Sequence, residues 1–457
     1  MQKSGETIAA ISTGSSESAV GMVRISGERA IEIADRIFKA QSAKPLSESL
    51  GYRAHFGSVY DGSGEFDTAV ALVFRAPKSY TGEDTVEITV HGGIYLTRRL
   101  LRAAIEAGAR LAQAGEFTRR AYLNNKMSLS QAEAVASLIS AQGEEQAKAA
   151  LAVCEGRLNR ESEQIRSEIV TLLGQISAYC DYPDEDIVDV SRETLVKTLE
   201  KIQSKLDKMI EGFDKGKIIN DGVDTAIVGS PNVGKSTIMN LLSGYEKSIV
   251  TDIAGTTRDI VEDCVRVGDF VLRLSDTAGI RQTEDTVEAV GVERAKKRME
   301  SAALVLAVFD ASRRLTDEDI EIAKLAGRKN AVAIINKDDL KSQIDEKPIR
   351  DAFSRVVRIS AAEERGKEEL SEVICEALSE YRLSGDAAII INERQYDCAV
   401  RAQKEISNAL LGAREGQMPD MLGILLEEAL RALSELSGKS ATEAVVNEIF
   451  SKFCVGK

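Results

Sequence analysis

Short apolar runs and longer amphipathic runs divide the chain into four stretches. The first, residues 1–118, has four short, partly β-branched runs bounded by Gly, Pro, Ser or Asp, with helical runs between and after them. The strand candidates are TIAAIS, AVGMVRIS, AVALVF and TVEITV, and the helix candidates are ERAIEIADRIFKA and YLTRRLLRAAIEAG. This mixture predicts a compact α+β domain that ends near Phe117.

Helical periodicity dominates residues 119–216 and returns in residues 384–457. The apolar stripes are Leu195, Leu199, Ile202, Leu206 and Ile210 in the first stretch, and Leu422, Leu426, Ala429, Leu433 and Leu436 in the second. Because each helix has one apolar face, we predict that these helices pack against one another. Because the second stretch is short for an independent bundle, we predict that the two stretches form one all-α domain.

Strands alternate with helices in residues 217–383, between the two helical stretches. The strand candidates are TAIVG, VLRLSD, LVLAVFD, AVAIIN and VVRIS. Such alternation is typical of a parallel sheet. The predicted fold class is therefore multidomain, with an α+β N-terminal domain and an all-α domain that is split by an inserted α/β domain.

The inserted stretch carries a phosphate-binding motif directly after its first strand. Residues 229–236, GSPNVGKS, fit G-x-x-x-x-G-K-S/T. Its glycines let backbone N–H groups turn toward phosphate, and the following helix adds its positive end. Lys235 is expected to act catalytically by reaching the β- and γ-phosphates, and Ser236 is expected to ligate Mg²⁺. This motif alone leaves ATP and GTP open.

Three later motifs, each at a strand end, complete the site, and two of them select guanine. Asp276 can hold the metal through water, Gly279 can sense the γ-phosphate, and Asp339 can accept two hydrogen bonds from guanine. Adenine lacks that pair of donors, and a site that demands such hydrogen bonds discriminates by roughly 10⁴-fold. Ser360 and Ala361 suit a backbone contact to guanine O6. The set predicts a Ras-like P-loop GTPase domain.

A loop between the first two motifs, TDIAGTTRD, has the Gly and Thr content of a switch segment. Thr257 is placed to complete the Mg²⁺ shell. The residues predicted to bind GTP are Asn232, Val233, Gly234, Lys235, Ser236, Thr237, Thr251, Asp252, Ile253, Ala254, Gly255, Thr256, Thr257, Asp276, Thr277, Ala278, Gly279, Asn336, Lys337, Asp338, Asp339, Ser360 and Ala361.

The position that orients the attacking water in Ras-like GTPases is apolar here. Ile280 follows Gly279, where such proteins place a Gln. Hydrolysis therefore needs another polar group and another positive charge near the β–γ bridge. The acidic candidates in the following segment are Glu284, Asp285, Glu288 and Glu293. The residues alone do not choose among them.

The composition of the chain argues against several kinds of site and surface. The net charge of −14 argues against a broad, non-specific nucleic-acid surface. Six scattered cysteines without a CxxC pair, and only two histidines, argue against structural zinc and for reduced thiols. No run of about 18 apolar residues appears. These features predict a cytoplasmic protein that does not enter a membrane.

Along its whole length the chain resembles the MnmE (TrmE) family of tRNA-modification GTPases. The resemblance is carried by DTAGIRQTEDTVEAVGVERA, PNVGKS, TDIAGTTRD, GEFTRRAYLNNKMSLSQAEAV, YTGEDTVEITVHGG and the terminal FCVGK. It implies an α+β tetrahydrofolate-binding and dimerisation domain (1–118), a helical domain in two parts (119–216 and 384–457, the second with FCVGK), and an inserted G domain (217–383). It also implies a homodimer.

The resemblance further implies that K⁺ supplies the missing positive charge. Asn232, Thr251, Ile253 and Thr256 match the potassium ligands of the family, and Glu288 matches its water-positioning glutamate. Ser230 and Thr237 depart from the Arg and Ser that are commoner at their positions. Both positions tolerate change.

The resemblance also assigns residues at the two ends of the chain. Arg24, Glu87, Lys126 and Lys457 match positions that contact 5-formyltetrahydrofolate, and Cys454 matches a cysteine that takes part in the modification chemistry. With a flavoprotein partner, MnmG (GidA), the family adds an aminomethyl or carboxymethylaminomethyl group at C5 of the wobble uridine of tRNA. GTP hydrolysis drives the conformational cycle.

Two other functions remain open from the sequence. A regulatory GTPase of ribosome assembly would favour a basic RNA-binding face after the G domain, where this chain has the acidic-apolar LLEEALRALSEL. A membrane-remodelling GTPase would need a membrane-inserting hairpin. Folate binding separates the first interpretation from both.

Overall fold

The computed structural model describes residues 5–14, 16–181, 191–244, 263–274, 302–383 and 389–451, together with Met299, Phe453 and Gly456. The described residues separate into two compact units. One contains residues 5–133 and 437–456, and the other contains residues 134–436. None of the helices in these ranges combines the length and the apolarity that crossing a membrane requires.

A seven-stranded sheet forms the centre of the first unit, in the order β3-β4-β5-β6-β2-β1-β7. The strands are β1 (Ile8–Ile11), β2 (Val20–Ser26), β3 (Phe38–Ala40), β4 (Arg53–Asp61), β5 (Gly64–Phe74), β6 (Thr85–His91) and β7 (Arg110–Leu111). All neighbours are antiparallel except β1 and β7. Strands and helices therefore mix as the sequence predicts.

Helices cover this sheet on both faces. The helices are α1 (Ala30–Ile37), α2 (Ile94–Glu106) and α3 (Glu116–Leu123). Ala9 belongs to the core formed with α1 and α2, whereas Ile8 and Ala10 pack with Phe117 of α3. Because successive strand residues point to opposite faces, α3 lies on the face opposite α1 and α2.

The first predicted helix is shorter than its sequence run. The run ERAIEIADRIFKA leaves the helix after Ile37, and its last residues form β3. Phe38 pairs with Val59 of β4 and is buried in the core. Pairing with a long neighbouring strand therefore overrides the local helical pattern.

Helices fill the start of the second unit. They are α4 (Leu129–Ser140), which begins in the first unit, and α5 (Glu144–Cys154), α6 (Arg157–Asp181), α7 (Arg192–Glu211) and α8 (Phe213–Asp221). Helix α7 begins at a Ser191 side chain that accepts a hydrogen bond from the backbone N–H of Thr194.

A six-stranded sheet follows, in the order β13-β12-β11-β8-β10-β9. Its elements are β8 (Val223–Val228), α9 (Lys235–Ser243), β9 (Asp263–Val267), β10 (Phe270–Leu274), β11 (Leu304–Asp310), α10 (Asp317–Ala326), β12 (Ala331–Asn336), α11 (Lys347–Ala352), β13 (Val356–Arg358) and α12 (Lys367–Ala377). Only β9 runs antiparallel to its neighbour. Strand β11 is buried along both faces, which explains its unbroken apolar sequence.

The chain then returns to the helical layer with α13 (Glu393–Glu415) and α14 (Pro419–Ser437). One apolar core joins residues of α6 and α7 to residues of α13 and α14. Leu199 and Leu206 of the first stripe lie in it beside Leu426 and Leu433 of the second. The two helical stretches therefore share a core, as their periodicity predicts.

The end of the chain packs within the first unit. Helix α15 (Glu443–Ser451) follows Gly438, whose carbonyl accepts a hydrogen bond from the Tyr122 hydroxyl at 2.5 Å. The rings of Phe450 and Phe453 lie 5.2 Å apart. A Cβ atom on Gly115 would lie 2.8 Å from Phe453, so only glycine allows this close approach. The tail is thereby fixed against the start of α3.

Candidate functional site

The phosphate-binding motif occupies the turn between β8 and α9, at the carboxyl end of a parallel strand. Asn232 and Gly234 both adopt left-handed backbone conformations, with φ of 63° and 97°. A Cβ atom on Gly234 would lie 2.3 Å from the Asn336 side chain. The glycine is therefore required both by its conformation and by the approach of the guanine motif.

Lys235 is directed back along this turn. Its Nζ donates hydrogen bonds to the carbonyl oxygens of Gly229 and Ser230, each at 2.8 Å. The ammonium group therefore lies over the loop that is predicted to hold phosphate, at the N-terminus of α9. Ser236, the predicted magnesium ligand of the motif, is exposed in the first turn of that helix.

Asn336 joins three of the predicted motifs. Its side chain is 2% exposed, donates to the carbonyl of Val233 at 3.0 Å, and accepts from the backbone N–H of Ala361 at 3.0 Å. The phosphate loop, the guanine motif and the Ser360–Ala361 segment are thus tied through one buried amide. A contact from Ala361 to guanine O6 would have to share this N–H.

Lys337 is held by an acid that the sequence interpretation did not single out. Its Nζ pairs with Asp310 at the end of β11 at 2.6 Å, and its own backbone is left-handed, with φ of 64°. Burial alone would raise the pKa of Asp310, but hydrogen bonds from Lys337 and Ser312 outweigh burial and hold the pKa low. Asp310 therefore stays ionised and fixes the lysine.

The predicted guanine-reading carboxylate is accessible and oriented. Asp339 is exposed, and its Oδ1 accepts a hydrogen bond from the Ser360 hydroxyl at 2.5 Å. That hydrogen bond lowers the pKa of Asp339, so the group is ionised at neutral pH. The neighbouring Asp338 instead accepts from the Arg358 guanidinium at 2.8 Å, which holds its carboxylate against β13.

Several predicted site residues lie outside the described part of the chain. They are Thr251, Asp252, Ile253, Ala254, Gly255, Thr256, Thr257, Asp276, Thr277, Ala278, Gly279, Glu288, Cys454 and Lys457. The described portion of the nucleotide site comprises the phosphate loop, the guanine motif and the Ser360–Ala361 segment, which lie together at one edge of the sheet.

A second group of predicted residues lies in the first unit. Arg24 of β2 and Glu87 of β6 are register partners, and Arg24 Nε donates to Glu87 Oε1 at 2.8 Å. The two side chains are 11% and 18% exposed, and the guanidinium lies 5.4 Å from the Tyr80 ring and 5.6 Å from the Phe117 ring. Among the described residues nothing bonds Arg24 Nη1, although it is buried. A buried donor of this kind suits a ligand acceptor.

Lys126 lies beside Gly82, a residue that lines a cavity on the side of α3. Its Nζ donates to the Pro77 carbonyl at 3.0 Å, and its side chain packs against Gly82. Gly82, Asn124 and Arg119 line a cavity of about 540 Å³. The lysine is therefore a neighbour of this cavity and not part of its lining.

The described end of the tail reaches the same sheet. The Ser12 hydroxyl donates to the Gly456 carbonyl at 3.1 Å, and the backbone N–H of Ser12 donates to the Met22 carbonyl. Gly456 has φ of 99°, and a Cβ atom there would lie 2.1 Å from the Ile11 carbonyl. The tail therefore comes to the end of β1, whose Ala10 pairs with Arg24.

Two family models and several known proteins match this chain over nearly its whole length. Residues 129–454 match the family model of the MnmE helical domain, and residues 7–126 match that of the GTP-binding protein TrmE N-terminus. The chain is 39% identical to the tRNA modification GTPase MnmE of Thermoanaerobacter pseudethanolicus, 36% identical to that of Clostridioides difficile and 40% identical to that of Bacillus cytotoxicus. Each match covers 99% of this chain and 99% of the relative.

Proposed function

The chain belongs to the MnmE family of tRNA modification GTPases, and from that premise we propose that its GTPase cycle serves one reaction at the wobble uridine of tRNA. The reaction adds an aminomethyl or carboxymethylaminomethyl group at C5, with a carbon supplied by a reduced folate. The observation that carries this proposal is the Arg24–Glu87 pair, because one guanidinium nitrogen is buried without a partner among the described residues.

The chemistry of this pair fits a reduced pterin. The amide and amino edge of a pterin offers donors to the Glu87 carboxylate, and a formyl or carboxylate oxygen suits Arg24 and Lys126. The aromatic rings of Tyr80 and Phe117, which stand beside the guanidinium, provide an apolar wall for a flat ring. We include Lys457 in this proposed site because it directly follows Gly456 in the sequence, and Gly456 lies at the end of β1.

The face of the sheet that carries Arg24 and Glu87 also supports our proposal of a homodimer. Phe56 and Val70 are cross-strand partners on β4 and β5 and are 56% and 42% exposed. Val70 pairs in turn with Thr89, and Thr89 with Met22, so this row of side chains lies on the same face as Arg24. Exposed apolar side chains on one continuous face favour association with a second copy. We place the dimer contact here.

The remaining chemistry is assigned to Cys454 and to a partner. The assignment of Cys454 rests on the resemblance of the terminal FCVGK to the MnmE family. A flavoprotein of the MnmG kind would supply the redox cofactor and share the tRNA substrate. In this proposal GTP hydrolysis with Mg²⁺ drives the conformational cycle, and the carbon transfer occurs at the folate site.

We expect 5-formyltetrahydrofolate to bind the purified protein with a Kd of about micromolar order. Lys126→Ala should weaken that binding about tenfold, because a charge-assisted hydrogen bond to the ligand is lost. Calorimetric titration measures both, and Lys44→Ala, an exposed charge-matched change, should leave the Kd unaltered. Absence of folate binding by the wild type would instead favour a regulatory GTPase of ribosome assembly.

We propose that K⁺ supplies the charge that an arginine finger gives in other GTPases. Asn232 supports this because its side chain is exposed at the phosphate loop and is held in a left-handed turn. Thr251, Ile253 and Thr256 complete the proposed ligand set, and Glu288 positions the water.

GTP hydrolysis should therefore be at least about tenfold faster in KCl than in NaCl at equal ionic strength. Asn232→Ala should remove most of the difference between the two salts, whereas Asn240→Ala, an exposed asparagine of α9, should keep it. Phosphate release in matched salts is the measurement. Equal wild-type rates in both salts would contradict the potassium mechanism.

A further inference from the structure

Ser230 of the phosphate loop makes a buried contact that the sequence motif does not predict. Its hydroxyl donates to Oδ1 of Asp319 in α10 at 2.6 Å. Ser230 is 3% exposed and Asp319 is 1% exposed. Position 230 lies in the variable part of the motif, so the role of this hydroxyl comes from the neighbouring structure and not from phosphate binding.

Asp319 accepts several hydrogen bonds besides the one from Ser230. Besides Ser230, it accepts from Arg313 at 2.6 Å and from the backbone N–H and hydroxyl of Thr316, each at 2.9 Å. Thr316 and Asp319 cap the N-terminus of α10 reciprocally. Burial would raise the pKa of Asp319, but these donors outweigh burial and hold the pKa low. The carboxylate is therefore charged and satisfied on both oxygens.

The segment that carries these donors is anchored at its other end as well. It leaves β11 at Asp310, which pairs with Lys337 of the guanine motif and accepts from the backbone N–H and hydroxyl of Ser312. Residues 311–316 thus run between two fixed carboxylates, Asp310 and Asp319. These contacts at both ends of the segment hold the Asp319 carboxylate in place for Ser230.

Ser230 links Asp319 to Lys235, the lysine of the phosphate-binding motif. The Ser230 side chain is bound to Asp319, while the Ser230 carbonyl accepts from Lys235 Nζ. We propose that Asp319 is a positioning residue of the GTPase, which fixes the phosphate loop through the Ser230 hydroxyl and thereby sets the loop conformation that receives the nucleotide. The residue acts through Ser230 and does not itself touch phosphate.

A double-mutant cycle tests this proposal. Ser230→Ala removes a buried hydrogen bond to a charged group and should weaken GDP binding about three- to tenfold. Asp319→Asn leaves Ser230 only a neutral acceptor and places an amide N–H against the donors of Arg313 and Thr316, so it should weaken GDP binding by a similar factor. The KM for GTP should rise by a similar factor, with little change in kcat at saturating GTP. The double variant should bind GDP no more weakly than the single variant with the lower affinity, because without the Ser230 hydroxyl a change at Asp319 breaks no further link to the phosphate loop.

Asp317→Asn provides the matched control. Asp317 is an exposed acid in the same first turn of α10, so its neutralisation should leave GDP affinity unchanged. If Asp319→Asn fails to fold, Ser230→Ala still tests the proposal because it leaves the bonds of Asp319 to Arg313 and Thr316 intact. Wild-type GDP affinity in Ser230→Ala overturns the proposal, as do fold-changes that multiply in the double variant.

Discussion

Asp339→Asn should lower the affinity for GTP by about 10³-fold or more and create affinity for xanthosine triphosphate. The Asp339 carboxylate is exposed, ionised and oriented by the Ser360 hydroxyl at 2.5 Å, so it is ready to accept from the guanine N1–H and 2-amino groups. An asparagine presents an N–H group to that 2-amino group, which leaves a donor facing a donor. Xanthine has a carbonyl at the same position and restores the match.

Competition binding with GTP, ATP and xanthosine triphosphate measures this exchange of specificity. Glu363→Gln is the control, since Glu363 is an exposed acid three residues beyond Ser360 and its loss should not change base preference. The Ser360 contact implies an intermediate result for Ser360→Ala, with weaker GTP binding and unchanged preference for guanine. Retention of GTP over xanthosine triphosphate by Asp339→Asn would show that another group reads the base.

Glu87→Ala should lower the affinity for 5-formyltetrahydrofolate by about 100-fold while leaving GTP hydrolysis intact. Two effects combine here. The pterin loses its acceptor, and Arg24 loses the partner that it contacts at 2.8 Å, so a largely buried guanidinium is left without its counter-charge. Removing one member of such a pair costs about 3 kcal/mol or more when the pair is fully buried, so unfolding must be monitored beside binding.

Glu87→Gln distinguishes a folding defect from a ligand-binding defect. It keeps the size of the side chain and an acceptor for Arg24, but it removes the charge and should still weaken folate binding. Glu65→Ala, an exposed carboxylate on β5, is the control. Parallel calorimetry with folate and phosphate release with GTP measure the two sites separately. Equal folate affinity in the wild type and Glu87→Ala would remove the folate site from β2 and β6.

The fold was predictable where the pattern is strong. The unbroken apolar strand LVLAVFD is β11, buried on both faces, and the helical stripes of α7 and α14 meet in one core. The multidomain fold class, with a sheet domain inserted in a split helical layer, is confirmed. Strand β4, RAHFGSVYD, was missed because one of its faces is exposed and its order comes from pairing with β5 rather than from its own composition.

In the candidate site, only the residues that belong to short sequence motifs could be predicted. Lys235 and Asp339 stand in recognisable sequence patterns, whereas Asp310 and Asp319 belong to no phosphate or guanine motif and join the site through tertiary contacts. The link between Asp319 and Ser230 spans 89 positions of the sequence. The approach of Gly456 to Ser12 was equally hidden, since it joins the two ends of the chain.

Nucleoside analysis of tRNA tests the central claim, that one chain uses a guanine-nucleotide site and a folate site for a single modification. Total tRNA would be digested and analysed by mass spectrometry from cells that lack this chain and carry wild type, Asp339→Asn, Glu87→Ala or no copy. The account predicts the C5-modified wobble uridine only in cells with the wild type, and unmodified uridine or a precursor in the other three. The same level of modified nucleoside in all four would contradict it.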